Sequence, residues 1–208
     1  MHSRTKMVNP KNPDHANLLP HHGEAYLYNI FFSVQEADNM MRSLRDELPW
    51  KQEPVRIFGK ELMQPRLTCW CADPGVSYSY SGITMHGEPW NPVLTVIKER
   101  VEKIAGVRFN GALLNYYRSG QDSMGWHRDN EKELGGNPVI GSVSFGGTRK
   151  FRFRDYSSKK EIIPVDLAHG SFLLMKGLTQ HYWEHQLPKT TKNNLPRINI
   201  TFRCLKNI

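Results

Sequence analysis

The chain has 208 residues, 38% hydrophobic and 23% charged, with three cysteines and a formal net charge of +8. This composition is too apolar for wholesale disorder and too polar for a membrane bundle, and the length suits a single domain. No apolar stretch approaches the roughly 18 residues of a membrane span. The opening residues MHSRTKMVNPKNPDH lack the apolar region of a signal peptide. Cys69, Cys71 and Cys204 cannot pair completely and form no C-x-x-C motif, which argues against a disulfide scaffold or structural zinc and for a reducing compartment. The expectation is a non-secreted monomer without a membrane partner, cytoplasmic in a bacterium and nuclear in a eukaryote. A pI near 9.4 favours polyanionic partners, nucleic acid first.

Residues 1–25 are polar, carry Pro10, Pro13 and Pro20, and show no period, which predicts a loose tail. A strand-like run, AYLYNIFF, leads to Ser33 and Glu36, whose S-x-x-E spacing is a capping box opening a helix of about 33–48 before Pro49. Asn91-Pro92 opens a second helix with Val93, Ile97, Val101 and Ile104 on one stripe, and Gly106 ends it. From Val107 onward, short runs with the texture of strands follow one another: GALLNYYRSG, PVIGSVSFGG, RKFRFRD, EIIPVDL, SFLLMKG, HYWEHQ and RINITFR. They predict a mostly β fold with flanking helices (α+β), a jelly roll of residues 107–208. Residues 50–106 add a substrate-facing portion with further strands or a lid.

Trp126-His127-Arg128-Asp129 contains H-x-D after a glycine-bearing turn, and His185 follows in a later strand-like run. Two imidazoles and a carboxylate occupy one face of an octahedral iron(II) and leave the other open. Residues i and i+2 of an extended segment point the same way, which suits H-x-D to this task. Nine histidines in 208 residues give about 0.35 chance occurrences of H-x-D, so the motif alone decides nothing. His181, four residues before His185, competes for the third position, and either histidine could simply be a core residue.

The run Arg197-Ile198-Asn199-Ile200-Thr201-Phe202-Arg203 puts Arg, Asn, Thr and Arg on one strand face and apolar residues on the other. A half-buried strand with a solvated polar side has the same alternation. The identity of the polar set argues otherwise, since two guanidinium forks and two short hydrogen-bonding groups suit carboxylates. A dicarboxylate such as 2-oxoglutarate needs its distal carboxylate held while its keto-acid end chelates iron. Asn115 and Tyr117, two apart before the H-x-D turn, offer further hydrogen bonds.

Together these residues resemble the AlkB family of iron(II)- and 2-oxoglutarate-dependent dioxygenases. N-x-Y at 115–117, H-x-D at 127–129, H-x-L-P at 185–188 and R-x-N-x-T-x-R at 197–203 carry the resemblance. Within that family RIFGK at 56–60, PRLT at 65–68 and YSYSG at 78–82 resemble the duplex-DNA repair branch, AlkB homologue 2. The resemblance implies a double-stranded β-helix fold, with iron(II), 2-oxoglutarate and oxygen as the reaction's cofactors and cosubstrates. It implies that His127, Asp129 and His185 hold the metal, in preference to His181. Arg197 and Tyr117 would grip the distal carboxylate, Arg203 and Asn115 the chelating end, with Asn199 and Thr201 on the same face. For the flipped base it implies Tyr80 as the stacking residue, with Tyr78, Asn130 and Glu131 at the polar edge. Phe58 would be the wedge in the duplex gap, flanked by Gly59 and Lys60, with Arg66 as a further DNA contact.

The implied reaction is oxidative demethylation of alkylated bases such as 1-methyladenine and 3-methylcytosine, releasing formaldehyde, succinate and carbon dioxide. Alkylated duplex DNA is the expected substrate, with single-stranded DNA and RNA as alternatives. Asn130 departs from the branch, which usually has a second aspartate there. The loop Asp155–Glu161 and the segment 189–192 are shorter or less basic than the branch's strand-gripping segments. In the run 149–154, Lys150, Arg152 and Arg154 would face phosphates while Phe151 and Phe153 pack inward. A same-fold dioxygenase acting on RNA or a protein side chain, or a non-catalytic nucleic-acid-binding barrel, are the competing readings.

Overall fold

The computed structural model describes residues 16–57, 60–80 and 83–206, without the side chains of 56, 57, 60, 78–80 and 83–86. Strand β1 (Glu24–Tyr28) precedes helix α1 (Val34–Glu47). The capping box is complete: Glu36 N–H donates to Ser33 Oγ, and Ser33 N–H donates to the Glu36 carboxylate at 2.9 Å. Strands β2 (Pro54–Ile57) and β3 (Lys60–Met63) form a hairpin, β4 (Leu67–Ala72) stands apart from it, and β5 (Ser77–Tyr80) pairs with β6 (Ile83–His86). Helix α2 (Pro92–Ala105) is capped by Asn91 Oδ1, which accepts from the N–H groups of Val93 and Leu94. It stops at Gly106, whose φ of 72° is open to glycine at little cost.

The remainder is almost entirely β: β7 (Gly111–Tyr117), β8 (Met124–His127), β9 (Ile140–Gly146), β10 (Arg149–Asp155), β11 (Ile162–Leu167) and β12 (Ser171–Lys176). A four-residue helix α3 (Thr179–Tyr182) then leads into β13 (Trp183–Leu187), and β14 (Arg197–Arg203) closes the fold. A six-stranded sheet runs β1-β12-β9-β14-β7-β4, and a four-stranded sheet runs β11-β10-β13-β8. This is the jelly roll expected from the sequence.

Burial explains the layering. On the outer face of the large sheet Phe145, Phe172, Ile198, Ile200 and Phe202 pack with Ala37 and Leu44 of α1 and Leu94, Ile97 and Val101 of α2. A second cluster, including Leu113, Ile140, Phe151, Phe153, Leu173 and Trp183, fills the space between the sheets. Each large apolar side chain removed from water there contributes about 1.5–3 kcal/mol. All seven residues of β14 are buried, so its polar face does not meet bulk water. Arg197, Asn199, Thr201 and Arg203 instead face the interior between the sheets.

Several expectations shift. The run 25–32 is a strand only to Tyr28, because residues 29–32 turn so that Phe31 and Phe32 N–H groups reach the Gly170 carbonyl. Residues 16–25, part of the expected loose tail, are anchored at two points: Leu19 and Ala25 are buried and Asn17 Oδ1 accepts from their N–H groups, while Ala16, Asn17, Pro20, His21 and His22 stay exposed. His181 and Tyr182 belong to α3 and not to a strand. Strand β8 ends at His127, so Asp129 lies in a loop beyond it. The inward packing of Phe151 and Phe153 is as expected. Lys150 and Arg154 are engaged by Asp166 and Glu184 on the neighbouring strands, which leaves Arg152 as the residue of that face with no carboxylate partner among the described residues.

Candidate active site

His127 and His185 face each other directly across the β8–β13 pair, with ring centroids 4.3 Å apart. The His127 Nδ1 lies 2.9 Å from the Gly125 carbonyl. That contact makes Nδ1 the protonated nitrogen and leaves the Nε2 lone pair for a metal. His185 is stacked on Phe151, and its Nδ1 has no hydrogen-bond partner among the described residues. Asp129 is 2% exposed, with Oδ1 accepting from Arg203 Nη2 at 2.6 Å and Oδ2 at 3.7 Å from His185 Nε2. One ligand atom from each of these three residues lies within 4.8 Å of the others. His181 is elsewhere: it is exposed, and its Nε2 bonds the loop at Gly136 and Asn137.

Protonation follows from this packing. Burial, reinforced by the neighbouring His127 and opposed by Asp129, pulls His185 down to about 3. Burial also lowers His127. Burial pushes Asp129 up, but the Arg203 guanidinium and the two imidazoles outweigh it and bring the carboxyl to about 2. At neutral pH the trio is therefore two neutral imidazoles and a carboxylate, the state a divalent metal needs. Between the ordinary histidine value of 6.5 and the folded values, the unfolded chain takes up protons that the folded metal-free chain does not. Its stability must therefore fall as pH drops below 6.5. His185→Gln is expected to flatten that decline below pH 6.5, by on the order of 1 kcal/mol per pH unit. Urea titrations of the metal-free proteins at stepped pH check this, and an unchanged slope contradicts it.

One cavity is lined by His127, Asp129 and His185 together with Asn115, Tyr117, Asn199, Thr201 and Arg203, and by the apolar Leu113, Met124, Phe151 and Leu187. Arg197 sits beside Tyr117, its guanidinium 5.3 Å from the ring centroid, and is 1% exposed. Its Nη2 donates to Ser144 Oγ at 2.8 Å and the guanidinium also interacts with the Tyr117 hydroxyl, while Nε and Nη1 meet no further partner at good hydrogen-bond geometry among the described residues. Burial and the nearby Arg149 charge, partly offset by Tyr117, bring this guanidinium down to about 10. A buried guanidinium with no carboxylate beside it among the described residues is costly, and an incoming carboxylate supplies the missing counter-charge. The residues therefore fit both groups: a nitrogen–nitrogen–oxygen face for iron(II) and a planar fork for a dicarboxylate.

Some site residues were not visible from the sequence. Ser142 and Ser144 of β9 stand opposite Thr201 and Asn199 and bond the Asn199 amide and Arg197; the S-V-S alternation could have suggested this. Gln180 accepts the Asp129 N–H. Arg66, expected at the DNA, is buried and donates Nε to Asn115 Oδ1 at 2.7 Å. It thus orients a wall of the cavity instead of presenting a free guanidinium to solvent. Asn130 is exposed and Glu131 half-buried in the loop after Asp129. Phe58 and Gly59 lie outside the described residues, as do the side chains of Lys60, Tyr78 and Tyr80.

Residues 24–203 match the 2OG-Fe(II) oxygenase superfamily. The chain belongs to this superfamily. Its AlkB-type relatives include human alpha-ketoglutarate-dependent dioxygenase alkB homolog 3, 42% identical over 86% of this chain and 65% of that protein. Mouse DNA oxidative demethylase ALKBH2 is 38% identical over 93% of this chain and 84% of that protein. The bovine ALKBH2 is 40% identical, covering 85% and 67%. Homologues 2 and 3 thus match alike, and the branch read from the substrate-facing segments is not singled out. The solved structure of OsALKBH1 superimposes with a TM-score of 0.66 at 17% identity, covering 89% of this chain and 98% of that one, which supports the fold. For a 2OG-Fe(II) oxygenase, His127, Asp129 and His185 are the residues that fit the metal.

Proposed function

We propose that this 2OG-Fe(II) oxygenase oxidatively demethylates alkylated bases in DNA. The observation that carries the reading is the buried polar face of β14, where Arg203 pairs with Asp129 of the His127–Asp129–His185 trio and Arg197, six residues along the same face, is buried beside Tyr117 with no carboxylate partner among the described residues. A nucleic-acid-binding barrel without catalysis has no use for that costly arrangement. DNA as substrate is supported by the +8 charge and by the relatives named DNA oxidative demethylase.

The chain's own residues do three things. His127, Asp129 and His185 hold the metal, already in the required protonation state. Arg197 and Tyr117 take the distal carboxylate, while Arg203 and Asn115, the latter fixed by Arg66, meet the other end. Phe151, Leu187 and Met124 keep water from the cavity and so strengthen those charge-assisted bonds. Bound iron with 2-oxoglutarate supplies the oxidation of an N-linked methyl group by oxygen. The base must leave its stack to reach the cavity, and Tyr78, Tyr80 and Phe58 are the proposed stacking and wedge residues.

Formaldehyde release from 1-methyladenine and 3-methylcytosine oligonucleotides, as duplex, single strand and RNA, tests the reading. Iron- and 2-oxoglutarate-dependent release from DNA is expected, and the three arms rank the strand preference. Succinate formation without any response to methylated nucleic acid contradicts the substrate and favours a protein side chain or small molecule.

A further inference from the structure

We propose that Gln180 is a positioning residue for the metal ligand Asp129, fastening the H-x-D loop to α3, the short helix that leads into the strand of His185. The strand ladder cannot do this. Strands β8 and β13 align His127 with His185, but β8 ends there and Asp129 lies beyond it. Two side chains take over, one at each end of the residue. Arg203 holds the carboxylate, and Gln180 Oε1 accepts the Asp129 N–H at 2.9 Å. Both Gln180 and Asp129 are shut off from solvent, at 1% and 2% exposure, so no water can replace the amide.

Gln180 is itself anchored from behind. Thr179, fully buried, accepts the Glu24 N–H through Oγ1, which also lies within hydrogen-bond reach of the Lys176 and Glu24 carbonyls. The other end of the Gln180 amide points Nε2 at Met175 Sδ, 3.8 Å away, and Met175 lines the cavity. The side chain is therefore a strut between β12 and the loop, with its acceptor oxygen aimed at the one backbone group that sets where the carboxylate sits. Losing that acceptor leaves a buried N–H unpaired and lets the loop move, which must weaken the metal before it weakens anything else.

The test compares Gln180→Met, which keeps length and loses the acceptor, with Gln180→Glu, which keeps an acceptor oxygen. Manganese(II) affinity by calorimetry and the visible spectrum of the cobalt(II) protein are the readouts, with no substrate present. Gln180→Met is expected to bind manganese about 10- to 100-fold more weakly and to alter the cobalt bands. Gln180→Glu is expected to stay within threefold of the unaltered protein. Wild-type affinity in Gln180→Met overturns the proposal, as does equal weakening in both variants, which would mark a packing role. Should Gln180→Met fail to fold, Gln180→Leu takes its place, with the same tenfold or greater weakening expected and wild-type affinity overturning the proposal. A failure of the DNA reading leaves these metal affinities untouched, so the two are separable.

Discussion

Asp129→Ala is expected to abolish metal binding and all 2-oxoglutarate turnover, and to destabilise the metal-free fold as well. The first effect follows from the ligand set, since no other carboxylate approaches the two imidazoles among the described residues. The second follows from Arg203, which is 4% exposed and pairs with Asp129 at 2.6 Å. Removing the carboxylate of a buried pair takes a close counter-charge from the other partner, a loss of about 3–5 kcal/mol. Asp129→Asn retains an acceptor for Arg203 but not the charge, so it should fold more stably than the alanine variant while remaining as inactive. Denaturation of the metal-free proteins and succinate release from the iron-loaded ones check both halves. Residual turnover near the unaltered level in either variant contradicts the metal assignment.

Arg197→Leu is expected to act in opposite directions on binding and on stability. The guanidinium is buried, shares the Tyr117 ring with a second guanidinium at Arg149, and has no carboxylate partner among the described residues. Replacing it with an apolar side chain should leave the ligand-free protein as stable as before, or more stable by about 1–4 kcal/mol. The same change should weaken 2-oxoglutarate by about 2–5 kcal/mol, because a buried carboxylate then loses the guanidinium it would pair with. Calorimetric titration of the manganese-loaded variant and its thermal midpoint without ligand give the two numbers. Unchanged cosubstrate affinity, or a marked loss of ligand-free stability, would remove Arg197 from this role. Such a trade of stability for a preorganised site is expected where binding residues are buried before their ligand arrives.

The parts of this molecule legible in the sequence are those encoded over a few residues. Ser33 with Glu36 and Asn91 with Pro92 announce the two long helices because caps satisfy backbone groups within the first turn. The alternation in 197–203 announces both a strand and its polar face, and the residue types point to a carboxylate. What the alternation could not say is that both faces are buried, since that depends on the second sheet closing over β14. Arg66 illustrates the limit: its partner Asn115 is 49 residues away, and nothing near PRLT distinguishes a buried guanidinium from an exposed one. Arg149 is similar, bonding the carbonyls of Ser119, Asp122 and Pro188 from a run that reads locally as a basic surface strand. The choice of His185 over His181 turns on α3, a helix too short to leave a period. H-x-D was read through strand geometry, yet Asp129 lies past the strand end and is placed by Gln180 and Arg203 instead.

The most direct measurement is a crystal grown with manganese(II) and 2-oxoglutarate, with the metal located by its anomalous scattering. A single strong peak bounded by the His127 and His185 imidazoles and the Asp129 carboxylate is expected, with the far carboxylate of the dicarboxylate on Arg197 Nε and Nη1. A peak bounded by other side chains, or a dicarboxylate whose far end avoids Arg197, contradicts the account.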